Sequence, residues 1–270
     1  MNTIQFSVKH RFGPWRWITR HNRKLPMNWN ECSLWHLLTW CRWKNHPKAA
    51  EIVAYRFLKI SPRIYFNLKA AYLIEINKHL SFFKKESRLT KILLPSFRFQ
   101  GRRYYGPMDE NRNVTVIENA IADGAYLNYL RHPERVQHLD LLCAALYRPG
   151  NIFIRIERLF NGRDIRHRLN KDTVEARARK FAHLPLHVKH AILIQYEGCR
   201  NLIIDRHRSI FQGQTQKKSS YGWPGIIFDL AGDKLGDITR VEQLLVWDVM
   251  LMLKKSEEES RQLKPQLKIA

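Results

Sequence analysis

From Asn28 onward, apolar side chains recur mostly at intervals of three and four, the period of a helix that buries one face. Asn28-x-x-Glu31 has the spacing of a capping box, in which the Asn side chain accepts from the third helical N–H and Glu reaches back. Cys32, Trp35, His36, Thr39 and Trp43 follow at helical spacing. Pro47 is expected to open a second helix, with Ile52, Tyr55, Arg56 and Lys59 on one stripe, and Ser61-Pro62 to end it. A third helix is expected from about Arg63 to Lys84. Thr115-x-x-Glu118 repeats the capping-box spacing and opens a helix through Leu130. His132-Pro133 separates it from a helix over Val136 to Tyr147, which Arg148-Pro149-Gly150 stops. Helices over Lys171 to Ala182 and from Leu184-Pro185 onward come next. The second of these carries Val188, Ile192, Gln195, Cys199 and Leu202 on its stripe.

Other patterns interrupt the helical one. Met1 to Val8 alternates (Ile4, Phe6, Val8) and reads as a short strand, broken by Gly13-Pro14. Trp15 to Lys24 is a basic stretch with two tryptophans. Leu93 to Gly106 is rich in aromatics and arginine and reads as a loop or a short strand pair. Asn151 to Lys171, with Asn161-Gly162, suggests a small hairpin. Gln212 to Gly222 is a polar connector that sets apart a C-terminal helical pair. The first helix of the pair covers Trp223 to Leu230. Thr239-x-x-Glu242 is expected to cap the second, running to about Lys255, with a frayed tail over Glu257 to Ala270. The fold class expected is mainly α, a multi-helix domain with small β or loop elements in the middle and a C-terminal helical pair. Three regions follow, 1–105, 106–211 and 212–270.

Charge changes this picture most. The formal net charge is +23, and residues 1–105 carry 21 Lys and Arg against 4 Asp and Glu. A polyanion or an acidic partner is therefore expected at the N-terminal region. No stretch approaches about twenty consecutive apolar residues, so no membrane span is expected. Met1 to Lys9 lacks the order of a signal peptide. Cys32, Cys41, Cys143 and Cys199 are widely spaced among apolar residues and read as buried, reduced thiols. The expected location is the cytoplasm, or a virion formed there.

Candidate chemistry is sparse. His183, His187 and His190 would share a face of one helix, as in helical metal sites, but Pro185 divides them. Asp205-Arg206-His207-Arg208 and Asp164-Ile165-Arg166-His167 resemble acid–histidine pairs. Neighbours in sequence diverge on a helix, so local ion pairs are the plainer expectation. No catalytic, metal or cofactor residue is assigned. Gly101 and Gly106 flank Arg102, Arg103, Tyr104 and Tyr105, without the spacing of a phosphate loop. Two arginines with two tyrosines suit phosphate pairing and base stacking, so these four are candidate nucleic-acid contacts. In the last helix, Trp247, Met250 and Met252 are candidate protein contacts, as flexible methionines suit adaptable surfaces.

Five short patterns occur in order: Leu25-Pro26-x-x-Trp29-Asn30-Glu31, Tyr105-Gly106-Pro107-x-Asp109, Leu146-Tyr147-Arg148-Pro149, Phe181-x-x-Leu184-Pro185 and Gly198-Cys199-Arg200. Together they resemble helical, uncharacterised proteins encoded among the tail genes of phages and prophages. Some of those are similar to tail assembly chaperones, which bind the tape-measure protein. The resemblance implies a non-enzymatic assembly protein or minor structural component whose partner is a phage structural protein such as a tape-measure protein. The alternative is a basic nucleic-acid-binding protein that contacts the phosphate backbone through its N-terminal half. A nuclease, the third reading, needs clustered carboxylates for metal ions, and acidic residues are scarce in the basic half.

Overall fold

The structure is a computed structural model of the chain and describes residues 2–150, 164–213, 222–231 and 236–266. It is mainly helical, with two small antiparallel sheets. The chain forms two compact units. Unit 1 comprises Met1–Leu89 with Leu186–Gly198, and unit 2 comprises Thr90–Pro185 with Cys199–Ala270.

Unit 1 begins with a two-stranded ribbon, β1 (Asn2–Phe12) and β2 (Trp15–Leu25). The expected short strand is thus longer, and the basic stretch after Gly13-Pro14 is its partner. Phe12 pairs with Trp15 across the two-residue turn, and Gly13 has φ +59. A positive φ at the first turn position is what a tight hairpin compatible with strand twist requires. Ile4, Phe6 and Val8 bury one face of the ribbon's base.

Helices α1 (Leu34–Trp43), α2 (Ala49–Leu58), α3 (Pro62–Phe66) and α4 (Ala70–Leu80) complete the N-terminal part of the unit. Asn28 does cap, accepting from the Glu31 amide, and Glu31 accepts from the Met27 amide. It opens only one 3-10 turn, Trp29–Glu31. The true cap of α1 is Ser33, in a reciprocal box with His36. The expected third helix is broken, because Asn67 closes α3 and extended Lys69 restarts the chain. Phe83 anchors the core: Trp29 lies 4.8 Å from it, Trp40 4.9 Å and Phe57 5.6 Å, centroid to centroid. Lys59 sits over half-exposed Trp35, and Arg56 sits over Trp43. Ser87 Oγ donates to the Ile194 carbonyl at 2.7 Å. This lays the segment ending at Leu89 along the first part of α8 (Leu186–Arg206), where Gly198 leaves room for the Leu89 backbone.

Unit 2 contains a three-stranded sheet, β3 (Ser96–Phe99), β4 (Arg102–Tyr105) and β5 (Arg148–Pro149), in that order. Its helices are α5 (Val116–Arg131), α6 (Gln137–Leu146), α7 (Lys171–Phe181), the last two turns of α8, and α9 (Arg208–Gly213). Gln100 and Gly101 both have positive φ, so β3 and β4 form the expected strand pair. Arg148-Pro149 does more than stop α6, since it becomes the third strand.

The C-terminal elements belong to this core. They are α10 (Gly222–Leu230), α11 (Ile238–Gln243) and α12 (Val246–Gln266). Val241 and Val249 pack with Ile226, Ile227 and Val116 in one buried cluster. Asp237, not Thr239, is the N-cap of α11. The single helix expected there breaks at Leu244, because the chain bonds to the segment before α5. The Val116 amide donates to Leu244 at 2.9 Å and the Val246 amide to Val114 at 3.0 Å. Helix α12 continues through Gln266, where fraying was expected. The hairpin turn expected at Asn161-Gly162 and most of the polar connector lie outside the described residues.

A Cβ at Gly198 would overlap the Leu89 backbone, whereas Gly124 of α5 is exposed with open space around it. Gly198→Ala is therefore expected to destabilise by about 1–3 kcal/mol. Gly124→Ala is expected to stabilise by about 0.5–1 kcal/mol, since alanine costs less helix entropy. Urea denaturation of the two variants checks the opposite signs.

Candidate functional site

Strand β2 alternates in exposure from Ile18 to Leu25, and all four residues at its tip are exposed. Arg16, Ile18, Arg20, Asn22 and Lys24 all lie on one face and are all exposed. Thr3, Gln5 and Ser7 of β1 are exposed on the same face, through the pairs Thr3 with Lys24, Gln5 with Asn22 and Ser7 with Arg20. The opposite face changes character along its length. Near the base it is the buried row Ile4, Phe6 and Val8, with the Phe6 ring stacked on His21 at 5.1 Å. Toward the tip it carries Trp17, 48% exposed, and Trp15, 74% exposed. The ribbon is thus anchored at one end and presents indoles and guanidinium groups at the other. No Asp or Glu precedes Glu31.

Two hollows continue this surface. One of about 430 Å³ is bordered by Gln5, Phe6, Ser7, Arg20, His21, Asn22 and Tyr72. Another of about 420 Å³ is bordered by Asn22, Arg23, Lys24, Trp35, His36 and Lys59 among others. They share Asn22, so they form one track along β2, lined by cations, amides and aromatic rings and by no carboxylate. His36 is held neutral, its pKa pulled down to about 4 by burial and by nearby Lys59.

The four contacts expected in the second unit divide between surface and core. Arg102 and Arg103 are exposed on β4. Tyr104 is 3% exposed, its ring 4.9 Å from Phe181 and 5.7 Å from Phe97, so it is a core residue and not a stacking platform. Tyr105 lies against Gly150, where a Cβ would strike its ring. Of the expected protein contacts, Met250 is fully buried and Met252 is 40% exposed. Trp247 is half-buried, donates from its indole to the Glu110 carbonyl at 2.9 Å and lies under the Arg206 guanidinium.

Unit 2 also holds a buried ion cluster. Thr115 caps α5 as expected, accepting from the Glu118 amide at 3.4 Å. The Glu118 carboxylate points elsewhere, to Arg148 Nη1 at 2.6 Å and Arg166 Nη2 at 3.1 Å. Arg166 is also bound by Asp164 and donates to the carbonyls of Asn113 and Leu146. Asp164 thus pairs with Arg166 rather than orienting His167, and Asp205 pairs with Arg208 rather than His207. Burial, then Arg166, lowers the Arg148 pKa against the pull of Glu118. Against the cost of burial, Glu118 and Asp164 hold Arg166 above its ordinary value.

His183 precedes α8, whose N-cap is Pro185, so only His187 and His190 share that helix. Burial first, then Lys44, pulls the His190 pKa down to about 4. Among the described residues no group of three His, Cys, Asp or Glu is placed to hold a metal ion. All four cysteines are buried free thiols. No helix among the described residues is long and apolar enough to cross a membrane. Compared with known proteins, the chain matches no family model, no curated protein and no solved structure.

Glu118 pairs with two buried arginines while Thr115 supplies one long capping bond. Glu118→Ala is expected to cost about 3–5 kcal/mol, because it takes from buried Arg148 its nearest carboxylate and leaves Asp164 alone against two cations. Thr115→Ala is expected to cost about 1 kcal/mol or less. Chemical denaturation of both variants ranks the two roles, and equal losses would show that the cluster contributes little.

Proposed function

We propose that this protein binds nucleic acid through the ribbon of unit 1. The observation that carries the reading is the exposed row Arg16, Arg20 and Lys24 along β2, backed by the exposed indoles of Trp15 and Trp17. Phosphate contacts from arginine and lysine supply most of the affinity in such complexes, and long cationic side chains on an exposed ribbon reach a backbone without rearrangement. Aromatic rings supply surface for bases. Arg102 and Arg103 have the charge but not the exposed rings beside it, which makes the ribbon the stronger site.

The test uses the full chain, because a fragment of residues 1–105 would lack the Leu186–Gly198 part of unit 1. The triple variant Arg16→Ala, Arg20→Ala, Lys24→Ala is compared with the parent for DNA binding over a range of salt. Each phosphate contact removed should lower the slope of log affinity against log salt by about 0.7–0.9. Stability should change by roughly 0.5 kcal/mol or less per exposed substitution. An unchanged slope, or a parent chain that does not bind at low salt, removes this reading.

A second reading, a non-enzymatic assembly protein for a phage-like particle, is favoured by exposed apolar residues of unit 2. Phe228 is 72% exposed and Leu251 65%. Under that reading, Phe228→Asp and Leu251→Asp should leave the fold intact and weaken binding to a purified tape-measure protein. Unchanged binding, or none by the parent chain, counts against it.

A further inference from the structure

The proposed binding leaves open which form of nucleic acid the ribbon takes, and the spacing of its side chains bears on that. We infer that the ligand is a single strand, extended along β2, with successive bases on the tip tryptophans and its phosphates on the basic row. The inference rests on the nucleic-acid reading and narrows it.

Trp15 and Trp17 occupy alternate positions of one strand, so their rings leave the backbone about 6.7 Å apart, twice the rise per residue. Bases within one strand of a duplex are about 3.4 Å apart along the axis, with their faces already covered by neighbours. Two indoles at double that spacing match consecutive bases only when the strand is drawn out and unstacked. Offering them a duplex would require opening base steps, at a few kcal/mol per step. A single strand offers those faces at much lower cost, and stacking on an aromatic ring is worth about 1–3 kcal/mol per base.

The cations agree with the same repeat. Arg16, Arg20 and Lys24 are each four residues apart on β2, about 13 Å between neighbours, which is every second phosphate of a strand drawn out to that degree. Among the described residues no third strand pairs with β2, so near the tip a strand lying along its edge is within reach of both faces. Beyond the tip, the track runs through Asn22 to Lys24, Trp35 and Lys59. Trp35 is 43% exposed, with the Lys59 ammonium 5.9 Å from its ring centroid, so ring and cation recur together at the base. The polar groups bordering the track, Gln5, Ser7 and Asn22, are hydrogen-bonding partners for base edges that a duplex would keep paired.

The experiment titrates the full chain with an oligodeoxythymidylate and with a duplex of equal length at one salt concentration. It is then repeated with Trp15→Ala, Trp17→Ala and the conservative Trp15→Phe. The single strand should bind at least about tenfold more tightly than the duplex. Each alanine variant should lose about fivefold or more for the single strand, in proportion to one stacked base, and much less for the duplex. Trp15→Phe should recover most of the loss, since a ring remains. Both tryptophans are exposed, and melting curves will show that the variants keep the fold. If the duplex binds as well as the single strand, or the alanine variants bind the single strand like the parent, the inference is overturned while the nucleic-acid reading stands. If neither oligonucleotide binds the parent chain, that broader reading fails with it.

Discussion

Unit 2 is organised around one buried carboxylate. Glu118, 3% exposed, stands in the first turn of α5 and meets guanidinium groups delivered by β5 and by the segment at Asp164–Arg166. Arg166 in turn donates to the carbonyls of Asn113 and Leu146, which close the approaches to α5 and the end of α6. Two cations and two carboxylates pair directly at the site, and Arg177 is close enough to interact with Arg148 and Glu118. Pairing such ions does not by itself guarantee a large net gain, because each loses its hydration. Its stronger effect is on geometry, since every partner missing from the set leaves a buried charge exposed to the low-dielectric interior.

Unit 1 is built on the opposite principle. Its ribbon is held by apolar contacts at the base and left unneutralised along the rest. Phe6 stacks on His21 and approaches Tyr72, which ties both strands to the helical part of the unit. The exposed stretch beyond that anchor carries charge with no counter-ion from the chain before Glu31. A surface of this kind is costly to keep concentrated in one place and is informative for that reason. The proposed ligand supplies the missing negative charge.

Much of the helical architecture was legible, because periodicity and capping residues are local signals. The failures have physical causes that local signals do not carry. Asn28 satisfies the capping spacing, yet Ser33 five residues later begins the longer helix, since proximity to His36 completes its box. Leu244 breaks the last helix because its carbonyl is needed by Val116, more than a hundred residues away in sequence. Glu118 fits a capping box but is drawn off by Arg148 and Arg166. Tyr104 and Tyr105 are neighbours of one type, and only the strand pairing decides that the first enters the core. The ribbon is legible only in part: Met1 to Val8 reads as a strand, and its partner does not. Trp15 to Leu25 alternates, but its outer face is marked by Arg16, Arg20 and Lys24 against a mixed inner face. The basic stretch Trp15–Lys24 is a signal of composition, which carries no strand geometry.

The outer strands of any sheet have edges able in general to template a further strand from another molecule. The cations of β2 keep such edges apart by mutual repulsion, and that protection weakens as salt shortens the reach of charge, to about 10 Å at 0.1 M. Neutralisation by a polyanion removes it altogether, and does so only where molecules have been gathered onto the same strand. Under the proposed binding, the arginines that repel neighbouring ribbons when the surface is empty would cease to do so once it is filled, so occupancy and side-by-side packing would be linked events.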